Sequence, residues 1–273
     1  MTPLSQFYRD ALTGSGNKLL TEIQRGLEKE GLRVTSASAM LSQSPHPTSL
    51  GSALTHPSIT TDYSEALLEF ITPVSTDIEI GLAQLENIQR YTAAKLDGEI
   101  VWGASMPCIV AGDNGIPIAN YGSSNVGMMK RVYRNGLGAR YGRMMQAIAG
   151  IHYNFSMPDS FWQASWESAG SPGSLQDFKT EGYLGLIRNF FSNAWLLIFL
   201  TGASPAVCAS FLAGNREHHL LPFDEEGNSL HLPYATSLRM GDLGYNSSAQ
   251  KSLEVCYNGL DHYLKALHEA IVT

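Results

Sequence analysis

Three short runs constrain this chain most: Leu27-Glu28-Lys29-Glu30, Glu65-Ala66-Leu67-Leu68-Glu69-Phe70 and Gly150-Ile151-His152-Tyr153-Asn154-Phe155-Ser156. Each reads as a β-strand, and strand side chains alternate between faces. Glu28 and Glu30 therefore share a face. Glu65, Leu67, Glu69 and Ile71 share one face of the second run, with Ala66, Leu68 and Phe70 on the other. His152, Asn154 and Ser156 lie opposite Ile151, Tyr153 and Phe155. Each strand thus offers an apolar face to a core and an acidic or imidazole face to something else. Carboxylates gathered on one sheet repel unless a cation lies between them. Mg²⁺ or Mn²⁺ suits such an oxygen-rich set, with one His tolerated.

The chain has 273 residues, 44% of them hydrophobic and 16% charged, which suits a globular protein with a substantial core. A formal charge of −7 and a pI near 5.6 argue against nucleic-acid binding, which favours a basic patch. Cys108, Cys208 and Cys256 are widely spaced with no CxxC pair, so neither a zinc site nor a disulfide framework is indicated. Reduced, buried thiols in a cytoplasmic protein are the expectation. Met1 to Lys18 lacks the pattern of a signal peptide. Tyr183 to Leu200 is apolar but interrupted by Arg188, Asn189, Ser192 and Asn193. It is expected to be a buried helix, not a membrane span.

Along the chain, residues 3–26 read as helix broken at Gly14-Ser15-Gly16, and residues 35–60 as a long loop. Thr76-Asp77-Ile78-Glu79 forms a capping box for a helix whose apolar face is Ile78, Leu82, Leu85 and Ile88. Short strands around Gly112-Asp113-Asn114-Gly115 precede helical material at 131–145. A helix opens at Phe161, and another runs from about Leu175 to Thr201, ending at Gly202 with Pro205 beyond. Residues 214–248 read as irregular and 249–271 as a final helix. No repeat or linker is visible. The expected fold class is α+β, one domain over 1–273, with an antiparallel or mixed sheet half-covered by helices.

Several segments, taken together, resemble the bacterial glutamate–cysteine ligases. They are Ile23-Gln24-Arg25-Gly26-Leu27-Glu28-Lys29-Glu30-Gly31-Leu32-Arg33-Val34, Gly51-Ser52-Ala53-Leu54-Thr55-His56, and Ile59-Thr60-Thr61-Asp62 leading to Ala66-Leu67-Leu68-Glu69-Phe70-Ile71-Thr72-Pro73. The likeness continues through Gly150–Ser156, Gly202-Ala203-Ser204-Pro205 and Pro233-Tyr234-Ala235-Thr236-Ser237-Leu238-Arg239-Met240-Gly241-Asp242-Leu243-Gly244-Tyr245. The resemblance implies a glutamine-synthetase-like fold, in which the sheet forms part of an open funnel. It implies ATP as co-substrate, L-glutamate and L-cysteine as substrates, and γ-glutamyl phosphate as intermediate. It further implies Glu28, Glu30, Glu69 and His152 as ligands of Mg²⁺ or Mn²⁺. Arg239 would meet the substrate carboxylate or the transferring phosphoryl oxygens, which a guanidinium holds in bidentate fashion. Asp62, Tyr133 and Tyr245 would line the cysteine pocket, and Asn154 would orient substrate or metal-bound water.

Members of that family run to roughly twice this length, so the chain resembles an N-terminal half. A separate C-terminal half is an expected partner, whereas nucleic acid and membrane are not. An inactive half or binding module, or a ligase that uses another acceptor amine, remain the alternatives. Gly14-Ser15-Gly16-Asn17-Lys18 lacks the spacing of a phosphate loop and reads as a turn. His218-His219 reads as solvent-exposed, and Glu65 is not required by the family pattern.

Overall fold

The computed structural model describes residues 2–13, 18–107, 109–202, 204–212, 218–238 and 255–272. The chain divides into two compact units. One comprises Met1–Arg25, Phe155–Leu200 and Ser247–Thr273, and the other Gly26–Asn154 and Thr201–Asn246.

The second unit is built on a five-stranded sheet. Its strands are β1 (Gln24–Thr35), β2 (Ile59–Thr61), β3 (Leu67–Ile71), β4 (Glu99–Val101) and β5 (Ile151–Ser156). They run in the order β2-β3-β1-β4, with β5 also paired to β1. β1 is antiparallel to β3, with Glu28 opposite Ile71 and Glu30 opposite Glu69. The two faces of this sheet differ. Leu68, Phe70 and Ile59 form a small core with Leu50, against which α3 (Ile78–Ala93) lays Leu85 and Ile88. On the other face, Leu32, Val34 and Leu67 join Tyr63, Met144, Met145 and Ile148 in the larger core. That same face carries Glu28, Glu30 and Glu69 further along the strands. The acidic face expected from alternation is therefore core at one end and carboxylate at the other.

α4 (Asn125–Tyr141) starts at Ser124, whose hydroxyl accepts from Gly127 N. β6 (Ala206–Cys208), β7 (Leu221–Pro222) and β8 (Ser229–His231) make a three-stranded antiparallel sheet, β6-β8-β7, the last two strands falling within the stretch 214–248 expected to be irregular. In the first unit, α1 (Pro3–Thr13) and α2 (Lys18–Thr21) accompany α5 (Asp159–Ser168), α6 (Leu175–Thr201) and α7 (Leu260–Val272). Phe7, Tyr8 and Phe161 pack ring to ring there.

Several expectations need correcting. Helix gives way to strand already at Gln24, the start of β1, whose ladder to β3 covers Glu28–Leu32 and to β4 Arg33–Thr35. The cap of α3 is Asp77, whose carboxylate accepts from Ile80 N, and not Thr76. Ile78 and Leu82 of that helix are exposed. The final helix begins only at Leu260; residues 249–254 of the expected span lie outside the described residues. Cys208 and Cys256 are free thiols but half-buried, and Cys108 lies outside the described residues. Ile151, Tyr153 and Phe155, expected to face a core, are exposed on β5.

The largest departure is α6. Of its residues only Leu184 is buried. Ile187, Ala194 and Ile198 follow at helical spacing and are half-buried, which gives one narrow covered seam. Around it, Leu186, Phe190, Phe191, Trp195, Leu196, Leu197, Phe199 and Leu200 are exposed. Among the described residues α6 is long and apolar enough to cross a membrane by length and composition, and 6% of its most apolar window is buried.

Candidate active site

The candidate site lies in the second unit, where β1, β3 and β5 bring their polar side chains together. Period-two alternation puts Glu28 and Glu30 on one face of β1, and the antiparallel register sets Glu69 directly opposite Glu30. β5 contributes His152 and Asn154. Glu28 holds both: its Oε2 is 3.1 Å from His152 Nδ1, and its Oε1 accepts from Asn154 Nδ2 at 3.0 Å. Ligand atoms of Glu28, Glu69 and His152 all lie within 4.8 Å of one another.

Glu30 takes a different position. It is 8% exposed, and its Oε2 accepts from Gly150 N at 2.6 Å. With Glu30 N donating to Gly150 O at 2.9 Å, it ties the approach to β5 onto β1. The three-residue cluster of possible ligands does not include it.

The electrostatics follow from this crowding. Glu69 is pushed up to about 7, first by burial and then by the negative charges of Asp62, Glu30 and Glu28, with His152 opposing. Two carboxylates and an imidazole at this separation offer two hard oxygens and a nitrogen to a cation. The donor set fits Mg²⁺ or Mn²⁺, and a bound dication would relieve the repulsion felt by Glu69.

Asp62 approaches from the turn between β2 and β3. Its backbone is clamped: the carbonyl accepts from Arg134 Nε at 2.5 Å and from Tyr121 Oη at 3.0 Å. Arg134 is buried on α4, stacks over the Tyr121 ring at 4.8 Å, and also donates to Lys130 O at 3.1 Å. Burial raises the Tyr121 phenol above its ordinary range. Tyr133, the residue before Arg134, is 63% exposed. Arg239 and Tyr245 lie outside the described residues.

Glu65, weighed as a ligand by alternation, is instead engaged at both oxygens. They accept from His46 N and Asn120 N, each at 2.7 Å. His218 and His219 are exposed. Sequence reasoning does not single out Arg134 or Tyr121. Arg134 is one of several cations on α4, and nothing in the local pattern marks it as the buried one.

Residues 10–273 match the family model described as glutamate-cysteine ligase. A glutamate–cysteine ligase of Saccharophagus degradans is 56% identical over 273 residues, covering 100% of this chain and 51% of that protein. One from Alcanivorax borkumensis is 54% identical, again over 100% of this chain and 51% of the relative. The chain thus spans about half the length of the curated relatives it matches. Among solved structures, the Francisella tularensis glutamate–cysteine ligase in complex with AMP superposes with a TM-score of 0.81 at 41% identity, covering 91% of this chain and 47% of that one. A bifunctional glutathione synthetase from Pasteurella multocida gives a TM-score of 0.80 at 26% identity, covering 100% of this chain and 33% of that one.

Proposed function

Because the chain belongs to the glutamate–cysteine ligase family, we propose that it forms the N-terminal part of a catalytic domain joining L-glutamate to L-cysteine at the expense of ATP. A γ-carboxylate oxygen of glutamate would attack the γ-phosphorus of ATP and release ADP. The cysteine amine would then attack the acyl phosphate, lose a proton and expel phosphate, leaving γ-glutamylcysteine. Such chemistry needs positioning and charge neutralisation more than covalent participation by the protein.

The observation that carries this reading is the convergence of Glu28, Glu69 and His152 beside Asp62. Those three side chains would hold Mg²⁺ or Mn²⁺, with Glu30 close behind. A bound dication supplies charge neutralisation for phosphate and carboxylate oxygens. Glu28 orients the imidazole of His152 and the amide of Asn154, so Asn154 can present its carbonyl oxygen to substrate or water. Asp62 would attract the cysteine ammonium, with Tyr133 near the same pocket. The assignments of Arg239 to the substrate carboxylate or phosphoryl oxygens, and of Tyr245 to cysteine, rest on family resemblance. We place the protein in the cytoplasm, the compartment of ATP and reduced thiols.

The relatives' extra length supports a further element of the proposal: activity requires a companion C-terminal half. The test is mass-spectrometric detection of γ-glutamylcysteine from the purified chain with ATP, Mg²⁺, glutamate and cysteine. It is run with and without the separately expressed C-terminal half of the Saccharophagus degradans relative. Product that needs both halves and disappears with Glu69→Gln supports the reading. A correctly assembled pair that makes no product overturns it.

A further inference from the structure

We propose that a cavity on the reverse side of β1 from the carboxylate cluster is a second ligand site, and that it takes a small monocarboxylate with an apolar body. The inference goes beyond the functional reading above and does not depend on it, because Glu28, Glu69 and His152 do not line this cavity.

Alternation along β1 puts Lys29 on the face opposite Glu28 and Glu30. Gly31, two residues on, shares the Lys29 face and supplies no side chain. A Cβ there would lie 2.5 Å from Val101 Cγ1 and 3.9 Å from Lys29 Nζ. The bare position therefore lets β4 bring Val101 close over β1 and leaves room for the amine beside it. α3 forms another wall with Gln89 and Ala93, one helical turn apart. Trp102, directly after β4, adds its ring. The cavity has a volume of about 400 Å³, within the range of small-molecule sites. All its lining residues belong to the second unit.

The polar groups of this cavity are unevenly satisfied. Lys29 is half-buried, and its ammonium makes one long hydrogen bond, to Glu30 O at 3.3 Å. Among the described residues no carboxylate pairs with it. Glu99, the carboxylate in the wall, is engaged elsewhere: Oε2 accepts from Arg33 at 2.5 Å and Oε1 from the Ser42 hydroxyl. An ammonium drawn partly out of water favours a counter-charge, and an anion in the cavity would supply it. Gln89 is half-buried in the same lining and can donate its amide to a second oxygen. Trp102 does not add a donor, because its indole N–H already donates to Met106 O at 3.0 Å. Its ring is left as apolar wall with Ala93 and Val101.

One ammonium and one amide suit the single charge of a carboxylate. A phosphate carries more charge on three oxygens and calls for a guanidinium fork or a row of backbone N–H groups. The guanidinium of Arg33 on the same strand is unavailable to it. That group donates to Glu99 and to the carbonyls of Ser44, Pro45 and Glu65.

The experiment is a ligand-observed NMR titration of the 273-residue chain, without metal, using phenylacetate and 4-methylpentanoate as probes. Phenylacetamide and inorganic phosphate are the comparison ligands. Lys29→Met removes the charge and keeps an apolar stem, Ala93→Leu fills the cavity from the helix, and Lys18→Met alters an exposed lysine on α2. Carboxylate binding weakened at least tenfold by Lys29→Met and by Ala93→Leu, unchanged by Lys18→Met and at least tenfold tighter than that of phenylacetamide, supports the proposal. No carboxylate binding overturns it. So does an affinity indifferent to either cavity variant, or phosphate or phenylacetamide binding as tightly as phenylacetate. Displacement of phenylacetate by the C-terminal half of the Saccharophagus degradans relative also overturns it, because Lys29 would then be the seat of a protein carboxylate. Should Lys29→Met fail to fold, Ala93→Leu and the comparison of phenylacetate with its amide decide the matter.

Discussion

Glu69 holds the sharpest conflict among individual residues, because burial and three neighbouring carboxylates all oppose its ionisation. Its folded-state pKa of about 7 lies above the ordinary 4.5. Between those values the folded state therefore binds more protons than the unfolded one. Stability then falls as pH rises from about 4.5 to 7, and the cost is complete above that range. Glu69→Gln should accordingly raise the melting temperature of the metal-free chain at pH 8 and change it little at pH 5. An equal shift at both pH values would contradict the crowded-carboxylate account. A metal ligand must also shed its proton, so Mg²⁺ affinity should weaken roughly tenfold per unit below about pH 7. Calorimetry in buffers of different ionisation enthalpy would register the released proton. Strand alternation made the pairs Glu28 with Glu30 and His152 with Asn154 legible in the sequence, whereas the meeting of Glu69 with them follows from the pairing of β1 with β3, which no local pattern shows. The Glu30–Gly150 hydrogen bond spans 120 residues of chain and the Arg134–Asp62 bond spans 72. No local pattern encodes such partners, so the support beneath the site was not legible.

Elements were legible where periodicity runs long. α3 follows from its spacing of apolar residues and α6 from its stop at Gly202 and Pro205, α4 starts at Asn125, before the expected 131, and β7, only Leu221–Pro222, is too short to show any alternation. The shift of the α3 cap from Thr76 to Asp77 has a similar origin. Both residues can cap, and the tertiary path decides which one does. What pattern could not show is how closely elements pack. At Gly127, in the first turn of α4, a Cβ would lie 2.6 Å from the Tyr121 carbonyl oxygen and 3.0 Å from that of Gly122. Both are backbone atoms that cannot rotate aside. Gly127→Ala should therefore cost about 1–3 kcal/mol. By displacing α4 it should also shift Arg134 and raise the KM for cysteine in the reconstituted enzyme more than that for ATP. Gly136, on the same helix, has open space around its Cβ position. Gly136→Ala should be neutral, or stabilising by up to about 1 kcal/mol. Urea denaturation of the pair separates close approach from helix propensity, and equal effects at the two sites would refute the packing argument.

At the scale of the whole molecule, hydropathy and exposure point in opposite directions along α6. Its composition led to the expectation of a buried helix, yet its aromatic side chains are open. Hydropathy reports that a helix needs cover but is silent on which chain supplies it. The net charge of −7 opposes self-association by mutual repulsion. Apolar surface on α6 favours it, and the balance of the two can be tuned from outside. Sulfate is excluded from protein surface and strengthens apolar burial, whereas low concentrations of sodium chloride mainly screen charge. The isolated chain should therefore bind an environment-sensitive hydrophobic dye and associate more strongly as ammonium sulfate is raised. Sodium chloride at matched low ionic strength should bring only the smaller gain expected from screening the repulsion. Trp195→Glu should reduce both dye binding and the sulfate response, and light scattering with dye fluorescence would follow them together. Association driven equally by the two salts, or unchanged by Trp195→Glu, would assign the attraction to charge or to a different surface. The exposed aromatic side chains would then have to be stable in water without cover, against the cost of about 25 cal/mol for each Å² of apolar surface left in contact with solvent.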